Sequence, residues 1–100
     1  MIKTIIKFSA SWCAPCKTFH TTFMRVSGYD EFKDIEFKEI DVESNEGIDL
    51  AEKYHINSLP TTILFDEKGN TRYTLLGNVS EKPIVTGKRK EDVRKFLTIF

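Results

Sequence analysis

Cys13-Ala14-Pro15-Cys16 lies at the seam between two periodicities, and that seam narrows what this chain can fold into. Before it, Thr4 to Phe8 is a short β-branched run bounded by Ser9-Ala10-Ser11, which predicts a buried strand ending just before the cysteines. After it, Phe19, Phe23 and Val26 recur at i, i+4 and i+7 and Gly28 closes the run, which predicts a helix. Pro15 suits the first turn of that helix, where an amide hydrogen is spare. Two thiols are therefore expected on a strand-to-helix junction.

The remaining pattern completes a sheet. Ile35 to Val42 predicts a second strand, and Ser44-Asn45-Glu46-Gly47 leads into a short helix carrying Ile48, Ala51 and Tyr54 on one face. Thr61 to Phe65 and Thr71 to Leu76 predict strands joined as a hairpin by Asp66-Glu67-Lys68-Gly69-Asn70. A last helix is expected from about Lys90 to Phe100, with Val93, Phe96, Leu97 and Phe100 on one side. Between them, Asn78 to Lys88 reads either as a short strand at Pro83-Ile84-Val85 or as a long surface loop. The order predicts an α/β fold with a four-stranded mixed sheet flanked by three helices.

Composition excludes several classes of partner. The 100 residues, with 40% hydrophobic content, suit one domain spanning 1–100. Fifteen basic and 15 acidic residues cancel, so no global charge draws the chain to nucleic acid or an anionic membrane. No apolar stretch reaches the roughly 18 residues of a membrane span, and Met1 to Lys7 is too short and lysine-rich for a signal peptide. A cytoplasmic monomer is the expectation. In a reducing compartment two cysteines at this spacing read as a redox couple or as half of a metal site.

Thiol chemistry separates the two. A thiolate is the attacking species, and the start of a helix favours it through unpaired amide hydrogens and the positive end of the dipole. Cys13 is placed to attack a disulfide; Cys16, one turn further in and more shielded, is placed to resolve the mixed disulfide.

Trp12-Cys13-Ala14-Pro15-Cys16-Lys17 after a strand resembles the Trp-Cys-Gly-Pro-Cys-Lys motif of the thioredoxin family. The likeness extends through Phe8, Ala10, Ile40-Asp41-Val42-Glu43, Leu59-Pro60-Thr61 and Gly69, nearly the whole chain. The resemblance implies a thioredoxin-like fold and a thiol-disulfide oxidoreductase that reduces protein disulfides, needs no bound cofactor and is regenerated by a reductase. It implies a cis bond before Pro60, facing the cysteines, with the backbone at Leu59 and Pro60 pairing with a substrate strand. It also makes Gly77, in preference to Gly87, the groove glycine.

Departures from the family are expected to matter. Ala14 stands for the motif glycine, and the chain begins at the strand before the motif, without the family's first strand and helix. Lys7 falls where thioredoxins carry a buried aspartate, and Glu39 falls near the lysine that accompanies it, so the charges look swapped. A Lys7–Glu39 pair beneath the helix would couple to the thiols; the alternative is an edge lysine and a solvated glutamate.

Other residues carry rival readings. Trp12, Ala14 and Pro15 line the groove, and Lys17 either supports the thiolate or is an ordinary exposed helix lysine. Cys13, Cys16, His20 and His55 are the residue types of a zinc site in a non-catalytic binding module, although both histidines read more simply as surface residues. A glutaredoxin-like, glutathione-dependent reductant is a further alternative. Lys88-Arg89-Lys90, followed by Glu91 and Asp92, reads as a solvated helix entry.

Overall fold

The computed structural model describes residues 1–98, with side chains described through Arg94. In chain order the elements are β1 (Ile2–Ser9), α1 (Ala14–Ser27), a 3₁₀ turn (Asp30–Phe32), β2 (Glu36–Asp41), α2 (Asn45–Lys53), β3 (Thr61–Asp66), β4 (Thr71–Leu76) and α3 (Glu81–Thr98). The sheet order is β2-β1-β3-β4, with β1 parallel to β2 and antiparallel to β3, and β4 antiparallel to β3. The four-stranded mixed sheet with three helices follows the sequence expectation.

Strand alternation divides the core between the two faces of the sheet. Ile5 and Leu64 meet Phe19, Phe23 and Val26 of α1 and Ile84 of α3 on one face. Phe8, Ile63 and Phe65 meet Leu50 of α2 and Tyr54, the residue that caps it, on the other. Lys7 shares the face of Ile5, two residues away, and is carried inward beneath α1 because β1 is a central strand. Directly opposite Lys7 stand Glu39 on β2 and Thr62 on β3, a polar row beside the buried Ile5 and Leu64 of the same face.

The last helix corrects the sequence reading. It begins at Glu81, so the segment expected as a strand or loop is helical. Pro83 occupies the first turn, where its missing amide hydrogen costs nothing, and Ile84 is fully buried. Gly87 is no breaker. It lets α3 close on the sheet, since a Cβ there would lie 3.1 Å from Leu64 Cδ2 and 3.2 Å from Tyr73 Cδ2. Lys88-Arg89-Lys90 consequently sits within the helix and not at its entry, with Lys88 paired to Asp92 and Arg89 to Glu31. Val93 is exposed, and Phe96, Leu97 and Phe100 lie outside the described side chains.

On α2 the inward face is Gly47, Leu50, Ala51 and Tyr54, while Ile48 points to solvent, contrary to expectation. Ser44 caps the helix by accepting the Gly47 amide at 3.0 Å. The backbone of Gly47 presses on β2, so that a Cβ would fall 1.8 Å from the Asp41 carbonyl oxygen. Gly47→Ala should therefore cost about 2 kcal/mol or more despite alanine's better helix propensity, because a backbone oxygen cannot rotate aside. A lowered urea midpoint at unchanged slope checks this; an unchanged midpoint would mean that α2 slides freely off the strand end.

Candidate active site

The cysteines sit where β1 hands over to α1. The Cys13 amide donates to the Ala10 carbonyl at 3.1 Å, turning the chain, and Cys13 becomes the N-cap of the 14-residue α1. Its Sγ accepts the Cys16 amide hydrogen at 3.2 Å. This is the unpaired donor of a helix start aimed at sulfur, which favours the thiolate of Cys13 once the pair is reduced. In the structure Cys13 and Cys16 form a disulfide with Cα atoms 5.3 Å apart.

Shielding does not separate the two cysteines, which is a correction: Cys13 is 4% exposed and Cys16 3%. What separates them is the cavity each one lines. Cys13 opens onto an apolar groove of about 450 Å³ walled by Trp12, Pro15, Val42, Ile56 and Leu59, and Ala14 also borders it. Cys16 opens on the other side onto a second cleft of about 450 Å³ lined by Lys7, Lys17, His20, Glu39 and Asp41.

The groove is preset by loops packed on the sheet. The Trp12 ring is 68% exposed, held over the groove by an Nε1–H bond to Glu43 Oε1 at 3.1 Å. The Leu59–Pro60 bond is cis, Leu59 packs against the cluster of Ala10, Cys13 and Cys16, and the Pro60 carbonyl accepts the Gly77 amide at 2.8 Å. Gly77 has φ +84°, the left-handed region that glycine enters without Cβ strain. Gly87, its rival in the sequence, belongs to the α3–sheet contact instead.

The second cleft is built on a buried cation. Lys7 is fully buried on a central strand, which overturns the edge-lysine reading, and its Nζ is ion-paired with Glu39 Oε2. Nζ also lies 3.0 Å from His20 Nδ1 and 5.1 Å from the centroid of the Phe23 ring. Partial burial pushes the Glu39 carboxyl up, but the Lys7 hydrogen bond and charge, helped by His20 and Ser9, outweigh it and hold Glu39 below the usual glutamate range. Lys17 is exposed at the rim.

His20 is the member of this cluster that the sequence reading left on the surface. Half of its side chain is exposed, yet its ring turns in to Lys7 and comes within 3.7 Å of Glu39. The available signal was its spacing, four residues after Cys16 and so on the same helix face. His55, by contrast, is exposed after α2 with φ 54°. Among the described residues no group of three or more His, Cys, Asp or Glu side chains is placed to hold a metal. Nor is any described helix long and apolar enough to cross a membrane.

The Thioredoxin family matches residues 2–92 of this chain. The chain belongs to the thioredoxin family. It is 37% identical to thioredoxin of Mycoplasma pneumoniae over 83 residues, which cover 83% of this chain and 76% of the relative. Thioredoxin of Mycoplasma genitalium is 35% identical over 81 residues, covering 81% and 74%. Among solved structures, a thioredoxin of Malassezia sympodialis superposes with TM-score 0.74 at 25% identity, covering 86% of this chain and 72% of that one. As a thioredoxin-family protein with its cysteine pair at the head of α1, it is a thiol-disulfide oxidoreductase. Family members act on protein disulfides and are returned to the dithiol by a reductase.

Proposed function

We propose that this protein is a monomeric cytoplasmic electron carrier that reduces protein disulfides through Cys13 and Cys16, without a bound cofactor, and is itself re-reduced by a thioredoxin reductase or similar dithiol donor. In the reduced form the Cys13 thiolate attacks one sulfur of the substrate disulfide, whose S–S bond breaks as a Cys13–substrate bond forms. The Cys16 thiolate then attacks Cys13 Sγ, the mixed disulfide breaks, and the second substrate sulfur leaves as thiolate. Two electrons have passed to the substrate, and the protein holds the Cys13–Cys16 disulfide.

The observation that carries this reading is the division of the pair between two cavities. Of the two cysteines only Cys13 borders the apolar groove, where Trp12, Pro15 and Leu59 offer a chain-binding surface; the cis Pro60, expected in the groove, is fully buried and does not line it, nor does Gly77, which is bonded to the Pro60 carbonyl. Cys16 borders the polar cleft, where the Lys7 ammonium and the rim cation Lys17 favour thiolate while Glu39 holds the Lys7 charge in place.

Insulin reduction tests the function. The protein, kept reduced by dithiothreitol, should accelerate precipitation of the insulin B chain, and Cys13→Ser should fall to the dithiothreitol background. A wild type no faster than background, or a Cys13→Ser variant as fast as wild type, overturns the proposal. Replacing dithiothreitol by glutathione alone should support little turnover; full turnover would indicate a glutaredoxin-like reductant.

A further inference from the structure

The resolving step, as assigned above, needs the Cys16 thiol to lose its proton before its sulfur can attack, and Cys16 is almost wholly buried. Ionisable groups reach its cleft from three elements: Lys17 and His20 from α1, Lys7 from β1, and Glu39 and Asp41 from β2. Two of these are poorly suited to take a proton out. The Lys17 ammonium meets no acceptor among the described residues to which it could first pass a proton, and Asp41 is turned to its own turn, where Oδ1 accepts the Glu43 amide at 2.9 Å.

The three that remain touch one another. An ammonium only donates, so a Lys7 paired to Glu39 can meet His20 Nδ1 at 3.0 Å only if Nδ1 offers its lone pair. That fixes the tautomer: the ring proton is on Nε2, on a side chain half exposed to solvent. His20 thus has an acceptor facing the buried cation and a donor able to reach water. The Thr62 hydroxyl, directly across the sheet from Lys7 and fully buried, finds no hydrogen-bond partner among the described residues, so it does not compete with His20 for the Lys7 ammonium.

We propose that His20 is the proton outlet for Cys16. Lys7 Nζ first passes one of its protons to His20 Nδ1, the amine so formed takes the Cys16 proton, and the imidazolium releases its Nε2 proton to solvent. Lys7 ends as the ammonium it began as, and Glu39 stays a carboxylate throughout. No electrons move in the relay; they move when Cys16 Sγ bonds to Cys13 Sγ and the substrate sulfur departs with the broken bond's pair. In the reverse direction, when the disulfide is opened, Cys16 regains its proton by the same route. His20 acts through Lys7 and is therefore a positioning and proton-exchange residue.

The test separates the two thiol steps with a limiting amount of dithiobis(nitrobenzoate), an aromatic disulfide. The reduced protein releases one nitrothiobenzoate as Cys13 attacks and a second as Cys16 displaces it. His20→Asn keeps an acceptor oxygen near the Nδ1 position but cannot carry a proton onward. It should slow the second release about tenfold near pH 7, below the range for direct acid–base groups because His20 acts at one remove. The first release should stay within about a factor of two, as expected for a change confined to the proton path of the second step. The pH profile of the second release should differ in shape between wild type and variant, and not only in height. His20→Ala should behave like His20→Asn.

A His20→Asn protein whose second release matches wild type at every pH overturns the proposal, since His20 would then merely hold Lys7. Equal slowing of both releases also overturns it. The proposal rests on Cys16 as resolver, which Cys16→Ser checks separately by abolishing the second release; a persisting second release would overturn that assignment, whatever His20 does.

Discussion

Cys16→Ser should trap protein substrates as stable mixed disulfides on Cys13, whereas Cys13→Ser should trap few. The reason is access and not depth, because the two residues are equally buried. Cys13 faces the apolar groove, where an extended substrate segment can lie against Trp12 and Leu59, while Cys16 faces a cleft floored by charged groups. Cys13 also keeps the Cys16 backbone amide as a hydrogen-bond donor to sulfur when the Cys16 side chain is changed. Incubated with a lysate of oxidised proteins, the Cys16→Ser protein should capture on the order of tenfold more material than Cys13→Ser, since exchange rates follow thiolate fraction and access. Capture is read on non-reducing gels and should vanish on adding dithiothreitol. Equal capture by the two variants would overturn the roles.

The second large effect concerns stability and has opposite signs at the two ends of one ion pair. Glu39→Ala would leave the Lys7 ammonium fully buried without its carboxylate, which should cost up to about 3 kcal/mol, the low end for a broken buried pair because Glu39 is 45% exposed. Lys7→Met fills the same space without charge and lets Glu39 turn to solvent, so stability should hold or rise by roughly 1–4 kcal/mol. Urea midpoints of the two variants at pH 7 decide it. Glu39→Ala as stable as wild type, or Lys7→Met markedly weaker, would show that the pair does not hold β1 and β2 as inferred.

Acid adds a check on the same pair. Because Glu39 titrates below its ordinary value of 4.5 in the fold, its stabilising contribution is complete above that value. It is lost as pH falls through the lower, folded value. Wild type should therefore lose stability below about pH 4.5 more steeply than Lys7→Met, in which Glu39 no longer has this partner.

How far the sequence can be read depends on whether a feature is local. The α1 pattern of Phe19, Phe23 and Val26 and the turn signals of the β3–β4 hairpin mark their elements because periodicity and turn chemistry act over a few residues. The start of α3 was hidden because Pro83 and Gly87 look like breakers, and only contact with Leu64 and Tyr73 shows Gly87 as a packing residue. Ile48 was misplaced for a related reason: the pressure of Gly47 on the Asp41 carbonyl sets the rotation of α2, and no periodicity within the helix records it. His20 was missed because its partner lies 13 residues away on another element.

By itself the sequence determined the succession of strands and helices up to the start of α3 and the thiol pair on the first turn of α1; it left open whether Lys7 and Glu39 pair or lie apart at the surface. Tertiary structure decided the rest. It put β1 between β2 and β3, which drives Lys7 into the interior and aligns it with Glu39 and Thr62. It gave each cysteine its own cavity and turned His20 inward. The physical reason is that backbone state follows from short-range sterics and hydrogen bonding, whereas the surroundings of a side chain depend on sheet order and register, set by contacts far apart in the chain.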